Sequence, residues 1–333
     1  MRDPKADRAR GALWGLAIGD ALGMPTQTLS RDEVIDRYGL VLNGFADAAP
    51  DHPIAPGYAA GRVTDDTEQA LLLGAALLDG GFDERRWSAS LLEWEEKMAS
   101  SGSLDLLGPS TKRALEALRA GTSSTVAAPR GTTNGAAMRI APVGIVMSTA
   151  SLSELVDLVV RVSRVTHASR EALAGAAAVA AAVSAGVDAL GWTATFALAV
   201  RAAKMANSRG APTGVPDVSA RVERAVMRAT SCDAESIAEV VVTEFGTGLE
   251  THESVPAAFA VVSACRDDPW MACRVSASLG GDSDTIAAIT GAIVGAHAGA
   301  SRFSEASRVV VQRANGLDID SVASALFEMR GVS

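Results

Sequence analysis

Alanine is abundant throughout this 333-residue chain, whereas aromatic residues make up only 4% of it. Alanine favours helices, and strands are typically rich in β-branched and aromatic residues instead. Hydrophobic residues amount to 48%, which at this length is enough to fill a large core. The composition therefore predicts an all-helical globular fold.

Apolar residues recur at helical spacing along most of the sequence, beginning with Leu71, Leu72 and Leu78 after Thr67. Further helices are predicted near residues 8–22, 111–120, 152–163, 169–185, 192–206, 217–229, 235–244, 255–265, 270–278, 285–298, 304–314 and 320–329. The pattern predicts more than a dozen helices. No Gly-, Pro- and Ser-rich linker and no internal repeat interrupts it, so we expect a single domain over residues 1–333.

Two stretches lack helical spacing and are predicted to be long loops, residues 40–63 and residues 121–139. Long loops on a rigid scaffold often carry binding or catalytic residues. Both stretches are therefore candidates for the walls of a functional site.

The net charge of −9 excludes a general attraction to nucleic acids or anionic membranes. The most apolar stretches, Ala172–Val183 and Ile286–Ala300, consist mainly of small residues. Neither supplies the roughly 18 strongly apolar residues that a membrane span needs, so both are predicted to be buried helices. We expect neither a nucleic acid nor a membrane as a partner.

The first ten residues, MRDPKADRAR, are charged from position 2 and hold no apolar run typical of a secretory signal. This start favours a cytoplasmic location. The three cysteines form no CxxC pair, which supports neither a disulfide framework nor a zinc knuckle. We interpret Cys265 and Cys273 as small buried apolar residues.

The strongest local signal is the run Thr64-Asp65-Asp66-Thr67-Glu68, which stands immediately before an apolar helix. Adjacent carboxylates flanked by hydroxyls supply the hard oxygen ligands that Mg²⁺, Mn²⁺ or Ca²⁺ requires. The simpler interpretation is a helix start, with Thr64 or Asp65 as the N-cap and Glu68 completing a capping box. The run alone leaves both interpretations open.

A second run of the same construction, Gly280-Gly281-Asp282-Ser283-Asp284-Thr285, precedes another apolar helix. One helix needs only one cap, so Asp282 and Asp284 together exceed that need. Clustered carboxylates repel each other unless a cation or a proton neutralises them. Two such runs in one chain favour a metal site.

If the two runs face each other, their oxygens suit two divalent cations about 3.5–4 Å apart, as in binuclear hydrolytic sites. Neither His nor Cys adjoins the runs, which favours Mg²⁺ or Mn²⁺ over zinc. The predicted metal ligands are Thr64, Asp65, Asp66, Asp282, Asp284 and Thr285.

Two weaker signals lie between these runs. The small-residue loop from Gly131 to Arg139 offers backbone N–H groups to a phosphate, although an ordinary turn is the simpler interpretation. Arg139 would pair with a phosphate or satisfy buried carbonyls. His167, in the run Thr166-His167-Ala168-Ser169, is by itself more typical of a polar loop residue than of a catalytic one. Motifs of serine hydrolases, zinc proteases, P-loop enzymes and Rossmann oxidoreductases do not occur.

Taken in order, these segments resemble the ADP-ribosylglycohydrolase family, which includes dinitrogenase-reductase-activating glycohydrolase and the ADP-ribosyl-acceptor hydrolases. The motifs are GALWGLAIGDALG from Gly11, TDDTEQ from Thr64, GTTNGAAMR from Gly131, THAS from Thr166, ESVPAA from Glu253 and GGDSDT from Gly280. They cover most of the chain. The resemblance implies an ADP-ribosylglycohydrolase-like all-α fold and two Mg²⁺ or Mn²⁺ ions held by the two aspartate runs.

The resemblance also implies roles for particular residues. In the family the metals hold a ribose beside the scissile glycosidic bond, and the small-residue loop contacts the rest of the ligand. This assigns substrate binding to Asn134, Gly135, Ala136, Met138 and His167. Hydrolysis would pass through an oxocarbenium-like transition state at the anomeric carbon.

Two aspartates are candidates for the catalytic carboxylate. Asp66 or Asp284 would accept the proton of the attacking water, and the sequence leaves that choice open.

Two positions depart from the family pattern. Many members carry a glutamate shortly after the GDALG motif, where this chain has Gln27. Glutamine orients a water or a sugar hydroxyl but takes no proton at neutral pH, so we assign Gln27 to substrate binding. Near His297 the sequence HAGA stands where many family members have a more aromatic segment after the last motif, which predicts a different pocket wall.

The sequence thus predicts a binuclear metal-dependent hydrolase of an N-glycosidic bond to ribose, acting on an ADP-ribosylated protein or a small ADP-ribosyl ligand. One alternative is a hydrolase of a small free nucleoside or ribosyl metabolite. Another is a non-catalytic relative that binds ADP-ribose or serves as a structural protein. Loss of metal ligands would mark that last class, and all six predicted ligands are present.

Overall fold

A computed structural model describes residues 3–100, 107–122, 128 and 130–330 of the chain. Helices form its regular structure, and no strand occurs among the described residues. Isolated bridges there join Thr133 to Glu250 and Ser169 to Ala211. The predicted all-α fold class is confirmed.

The helices follow one another along the chain, and the longest described stretch without a helix lies between α2 and α3. They are α1 (Pro4–Gly23), α2 (Arg31–Tyr38), α3 (Asp65–Leu78), α4 (Glu84–Ser100), α5 (Pro109–Arg119), α6 (Gly135–Met138), α7 (Ala141–Val146), α8 (Leu152–Ser163), α9 (Arg170–Val187), α10 (Trp192–Asn207), α11 (Val218–Ala229), α12 (Ser236–Val240), α13 (Thr251–Cys265), α14 (Pro269–Ala277), α15 (Ser283–Ala298), α16 (Glu305–Asn315) and α17 (Ile319–Arg330). A π-helical turn, Val241–Phe245, continues α12.

Polar residues at the helix starts explain many of these boundaries. Ser30 and Glu33 form a capping box at the start of α2. Ser169 and Ser304 accept backbone N–H groups at the starts of α9 and α16. Because these caps stand just before the apolar repeats, the helices begin close to the residues that the sequence predicts.

The two predicted loops have different outcomes. Residues 39–64 contain no helix, as predicted. The prediction for residues 121–139 is partly wrong, since Gly135–Met138 forms one helical turn in which the Asn134 carbonyl accepts the N–H groups of Ala137 (2.7 Å) and Met138 (3.0 Å). Residues 123–127 and 129 of that prediction lie outside the described residues.

Helices α1 and α15 pack with their backbones in contact over four turns. A Cβ atom added to Gly11 would lie 2.2 Å from the Gly295 carbonyl oxygen, and one added to Gly15 would lie 2.0 Å from that of Gly291. A Cβ on Gly19 would likewise lie 2.0 Å from the Ala287 carbonyl oxygen. These distances leave no room for any side chain, so glycine is required at these positions.

The core around this helix pair is continuous and consists largely of small residues. Helix α9 is central to it, and the residues from Ala172 to Val187 are all buried. Among the described helices, Arg170–Val187 alone is long and apolar enough to cross a membrane, and 94% of it is buried inside the fold. Cys265 and Cys273 are buried as well, as predicted.

We expect Gly15→Ala to destabilise the protein by at least about 2 kcal/mol, because the new methyl group meets backbone that cannot rotate away. The free energy of unfolding in denaturant measures this loss. Gly74→Ala is the matched control inside α3, since its Cβ would meet side-chain atoms and no backbone, the nearest being a methyl group of Val322 at 3.0 Å. There alanine's higher helix propensity offsets the contact. Equal losses in the two variants would contradict the backbone contact as the cause.

Candidate functional site

The first aspartate run forms the start of α3. Thr64 has extended backbone angles and its hydroxyl accepts the Asp66 N–H, so Thr64 is the N-cap. The proposed capping box between Asp65 and Glu68 does not form, because the Glu68 carboxylate instead accepts the Trp94 indole N–H at 2.6 Å. Capping therefore uses the threonine and does not account for the two aspartates.

Asp20, on α1, lies fully buried beneath this helix start. Its carboxylate accepts the N–H of Thr64 (3.0 Å) and the N–H of Thr67 (3.1 Å), as well as the hydroxyl of each threonine. Burial raises the pKa of Asp20 to about 6, although these hydrogen bonds oppose the rise. Asp20 fixes the position of the first run, a role that was not predicted from the sequence. The GDALG motif that contains it was the available signal.

The second aspartate run turns into α15 through Gly280 and Gly281, both of which have left-handed backbone angles. A Cβ on Gly281 would lie 2.3 Å from the Thr247 carbonyl oxygen, so glycine is required there. Asp282 stands at the N-cap position, but its side chain makes no capping hydrogen bond. Its carboxylate faces the Asn134 amide instead. Burial raises the pKa of Asp282 to about 6.

The two runs meet at the Asp66 carboxylate. One oxygen of Asp66 accepts the Thr64 hydroxyl at 3.1 Å and the Thr285 hydroxyl, from the second run, at 3.2 Å. The fold therefore brings together two segments separated by more than two hundred residues in the sequence.

A cleft of about 120 Å³ opens beside this contact. Asp65, Asp282, Asp284 and Thr285 line it, whereas Thr64 and Asp66 lie beneath it. No described lining residue is Lys, Arg, His or aromatic. Ile54, Met138 and the half-exposed Leu249 give the cleft an apolar wall. The described part of the lining thus combines carboxylates with apolar groups and includes no positive side chain.

The oxygen donors of the two runs have the chemistry that a hard divalent cation requires. Within the residues that the structure covers, no three His, Cys, Asp or Glu side chains already converge on one point. The carboxylates hold hydrogen bonds in this arrangement, such as Asp65 to the Gln69 amide at 2.7 Å and Asp282 to the Asn134 amide. A bound cation would replace some of these bonds, and the threonine hydroxyls would complete its ligand set. The donor set therefore fits Mg²⁺ or Mn²⁺.

The small-residue loop closes one side of the cleft. Asn134 donates its backbone N–H to the Leu249 carbonyl at 2.9 Å and its side-chain amide to Ser254 at 3.0 Å and to Asp282. Asn134, Gly135 and Met138 line the cleft, as the resemblance implies, but Ala136 is buried and does not. Ala136 faces the core because it lies on the inner side of the single turn α6.

His167 lies under this loop and does not line the cleft. Its ring nitrogens face the Thr133 hydroxyl at 3.0 Å and the Thr166 hydroxyl at 2.8 Å. Burial holds the pKa of His167 well below its ordinary value, and so keeps the ring neutral. A Cβ on Gly135 would lie 3.0 Å from the ring. In this arrangement the ring supports the loop, and the substrate contact that the resemblance implies for His167 stays a prediction.

Arg139 is also buried behind the cleft. It donates to the Gln69 side-chain oxygen at 2.7 Å and to the Thr166 hydroxyl at 2.5 Å, and it lies over the Trp87 ring. The Gln69 side-chain oxygen is a buried amide carbonyl, so Arg139 fills one of its two predicted roles, and pairing with a phosphate stays a prediction. Since Gln69 in turn donates to Asp65, Arg139 connects the first aspartate run to the Thr166 segment.

The two departures from the family pattern lie in different places. Gln27 lines the cleft, and its side-chain nitrogen is buried with no hydrogen-bond partner among the described residues. His297 does not line the cleft. Its ring stacks on Trp192 with the centroids 3.8 Å apart, so the prediction that it alters the pocket wall is wrong.

The chain is similar to known proteins over its whole length. A family model described as ADP-ribosylglycohydrolase matches residues 1–333. The Escherichia coli protein YegU is 34% identical over 329 residues, which cover 98% of each chain. Human ADP-ribosylhydrolase ARH3 is 30% identical over 332 residues, covering 90% of this chain and 87% of its own. A solved structure of an ADP-ribosylglycohydrolase-related protein complex has a TM-score of 0.69 at 25% identity and covers 98% of this chain and 99% of that chain.

Asn134→Asp would place a further carboxylate against Asp282, and we expect its cost to depend on pH. A carboxyl whose pKa is raised by folding loses stability as the pH rises from its unfolded value of about 3.9 through its folded value. The variant should lose about 1–3 kcal/mol more near pH 7.5 than near pH 5, since at the lower pH the pair retains a proton. Urea unfolding of metal-free protein measures the difference.

Asn134→Ala is the control for this prediction, because it removes the hydrogen bond to Asp282 without adding a charge. Its loss of stability should change much less between the two pH values. A loss in Asn134→Asp that does not depend on pH would contradict the contact with Asp282.

Proposed function

This chain belongs to the ADP-ribosylglycohydrolase family, and from that premise we propose that it hydrolyses the glycosidic bond between ribose and the group attached to it in an ADP-ribosylated substrate. Human ARH3, which resembles it over most of its length, is named an ADP-ribosylhydrolase. The observation that carries the proposal is the meeting of the two aspartate runs at one cleft. The reaction class requires a sugar to be held beside carboxylates, and this cleft supplies them.

We infer that the hydrolysis depends on two divalent cations, Mg²⁺ or Mn²⁺. The residues that would hold them are Thr64, Asp65, Asp66, Asp282, Asp284 and Thr285. Such cations, when bound, lower the pKa of water and fix sugar hydroxyls. Two features support this inference. None of the described residues that line the cleft is basic, so no positive side chain among them balances the carboxylates, and the Thr64 hydroxyl lies within the same group of oxygens, 2.9 Å from Asp20 and 3.1 Å from Asp66.

Asp284 is the better candidate for the carboxylate that accepts the proton of the attacking water. It lines the cleft, whereas Asp66 lies beneath and already accepts the hydroxyls of Thr64 and Thr285. A general base must reach the proton that it takes. The Gln27 amide, which cannot take a proton, would donate a hydrogen bond to the substrate from the same wall.

A second candidate substrate is a small free nucleoside or ribosyl metabolite. The cleft has a volume of about 120 Å³, which suits a ribose better than a whole ADP-ribosyl group. The described lining offers no positive side chain for a diphosphate and no aromatic ring for an adenine to stack on. In either case we place the reaction in the cytoplasm, with no nucleic acid or membrane as a partner.

We expect Asp284→Ala to abolish the binding of Mn²⁺, and with it hydrolysis, because it removes a donor from the cleft. The metal-free variant should keep its melting temperature or raise it, since one fewer carboxylate lowers the repulsion in the cluster. Calorimetric titration of chelator-treated protein with Mn²⁺ measures the binding. Asp267→Ala, which changes an exposed aspartate away from the cleft, is the control. Unfolding of the Asp284→Ala protein would instead make Asp284 a structural residue.

Rates of hydrolysis distinguish between the two candidate substrate classes. We expect the Mn²⁺-loaded protein to release ADP-ribose from an ADP-ribosylated peptide faster than it releases base from free nucleosides. The opposite preference would favour the small-metabolite alternative. Tight binding of ADP-ribose without turnover of either substrate would favour a non-catalytic binding protein.

A further inference from the structure

His52 lies in the helix-free segment 39–64 and is buried. Its Nδ1 accepts the backbone N–H groups of Ile54 at 3.3 Å and Ala55 at 3.0 Å. Its Nε2 lies 3.0 Å from the Gln27 carbonyl oxygen. Because Nδ1 accepts two hydrogen bonds, the ring hydrogen must lie on Nε2, which donates it to Gln27. This geometry requires a neutral ring in one tautomer.

The residues on both sides of this ring reach the cleft. Ile54 and Gln27 each line it, although they come from different segments of the chain. The turn that follows Gln27 is in turn bonded to the second aspartate run, since the Thr28 N–H donates to the Gly281 carbonyl at 2.6 Å and the Gly281 N–H to the Leu29 carbonyl at 2.7 Å. His52 therefore connects a wall of the cleft to the backbone that carries Asp282.

The middle of segment 39–64 is held by hydrogen bonds, such as that of the Tyr38 hydroxyl to the Asp47 carbonyl, and by a small apolar cluster. Its buried apolar residues Ala48 and Ala55 form a small cluster with Met24, and Tyr58 packs on it. This cluster is separate from the main core. The ends of the segment are held more firmly, because Leu42 and Val63 belong to the main core. Within this segment, the ring of His52 bonds directly to the backbone of Ile54, the residue that reaches the cleft.

We propose that His52 is a positioning residue of the cleft, which through its two ring nitrogens holds Ile54 and Gln27 in place for the substrate. The identity of that substrate rests on the proposed function, but the contact itself does not. His52 touches neither the aspartate runs nor the reacting atoms, so its effect reaches the ligand through Gln27 and Ile54.

The charges near His52 set the pH range of this contact. Burial lowers the pKa of His52, the Gln27 carbonyl and Asp51 oppose that change, and Arg37 reinforces it. Arg37 and Asp51 lie 3.5 Å apart and largely balance each other. The contact is therefore complete at the ordinary histidine pKa of about 6.5 and is lost only as the pH falls through the lowered pKa of His52, because a proton on Nδ1 excludes the two N–H donors.

Amide hydrogen exchange of the metal-free full chain tests the contact directly. We expect protection of Ile54 and Ala55, corrected for the intrinsic pH dependence, to fall about tenfold or more between pH 7.5 and pH 4.5. His52→Asn keeps an acceptor near Nδ1 that does not titrate, so its protection should not change with pH. His52→Phe should lose the protection at both pH values. His297→Asn, which alters a half-buried histidine that does not line the cleft, should behave as the natural chain does.

The His52→Asn variant also distinguishes the titration of His52 from the titration of the buried carboxylates. The pKa values of Asp20 and Asp282, each about 6, lie in the same range. Both residues are unchanged in His52→Asn. A fall in protection that persists in that variant would come from them and would overturn the assignment to His52. Nitrogen-15 NMR of the imidazole gives a second readout, and a hydrogen on Nδ1 at neutral pH would also overturn the assignment.

Ligand binding completes the test. We expect His52→Phe to weaken ADP-ribose binding about tenfold at pH 7.5, with Mn²⁺ affinity unchanged and affinity partly restored in His52→Asn. Unchanged ADP-ribose binding in His52→Phe would overturn the positioning role. If the natural chain does not bind ADP-ribose at all, the proposed function fails instead, and the exchange and NMR results still decide the contact.

Discussion

The contact between the backbones of α1 and α15 is the constraint on which the rest of the structure depends. At Gly15 and Gly291, and again at Gly11 and Gly295, a carbonyl oxygen of one helix occupies the space where the other would carry a side chain. This approach places Asp20, on α1, directly beneath one side of the cleft, and it places Asp284 against Gly23 at the end of the same helix. A wider spacing of the two helices would separate the aspartate runs.

The site is built from acidic groups that the fold buries at a cost. Asp20 and Asp282 are both more easily protonated than an exposed aspartate, because burial disfavours their charge. Neighbouring hydroxyl and amide donors, from Thr64, Thr67 and Asn134, offset part of that cost. Buried acids in such a number are typical of functional sites. The repulsion among them is what a bound cation would relieve.

Local patterns predicted much of this from the sequence, and contacts between distant segments account for what they missed. The helices follow from apolar spacing and from caps such as Ser30 and Ser169, which act within a few residues. The aspartate runs at Thr64 and Asp282 were visible because their carboxylates exceed what a helix start needs. Asp20 and His52 were not assigned roles, since each acts on a segment more than twenty residues away. The support that His167 gives to the small-residue loop was not predicted, because its ring meets Gly135 from a segment that no local pattern relates to that loop.

The pairing of the first long helix with one near the end of the chain has a consequence for biosynthesis. Residues of α1 meet partners that are translated about two hundred and seventy positions later. Contacts of such long range are slow to form, and a chain emerging from the ribosome cannot make them early. The glycine face of α1 therefore stays exposed to solvent until α15 has been synthesised. Premature truncation before α15 would leave an aggregation-prone polypeptide rather than a smaller folded one.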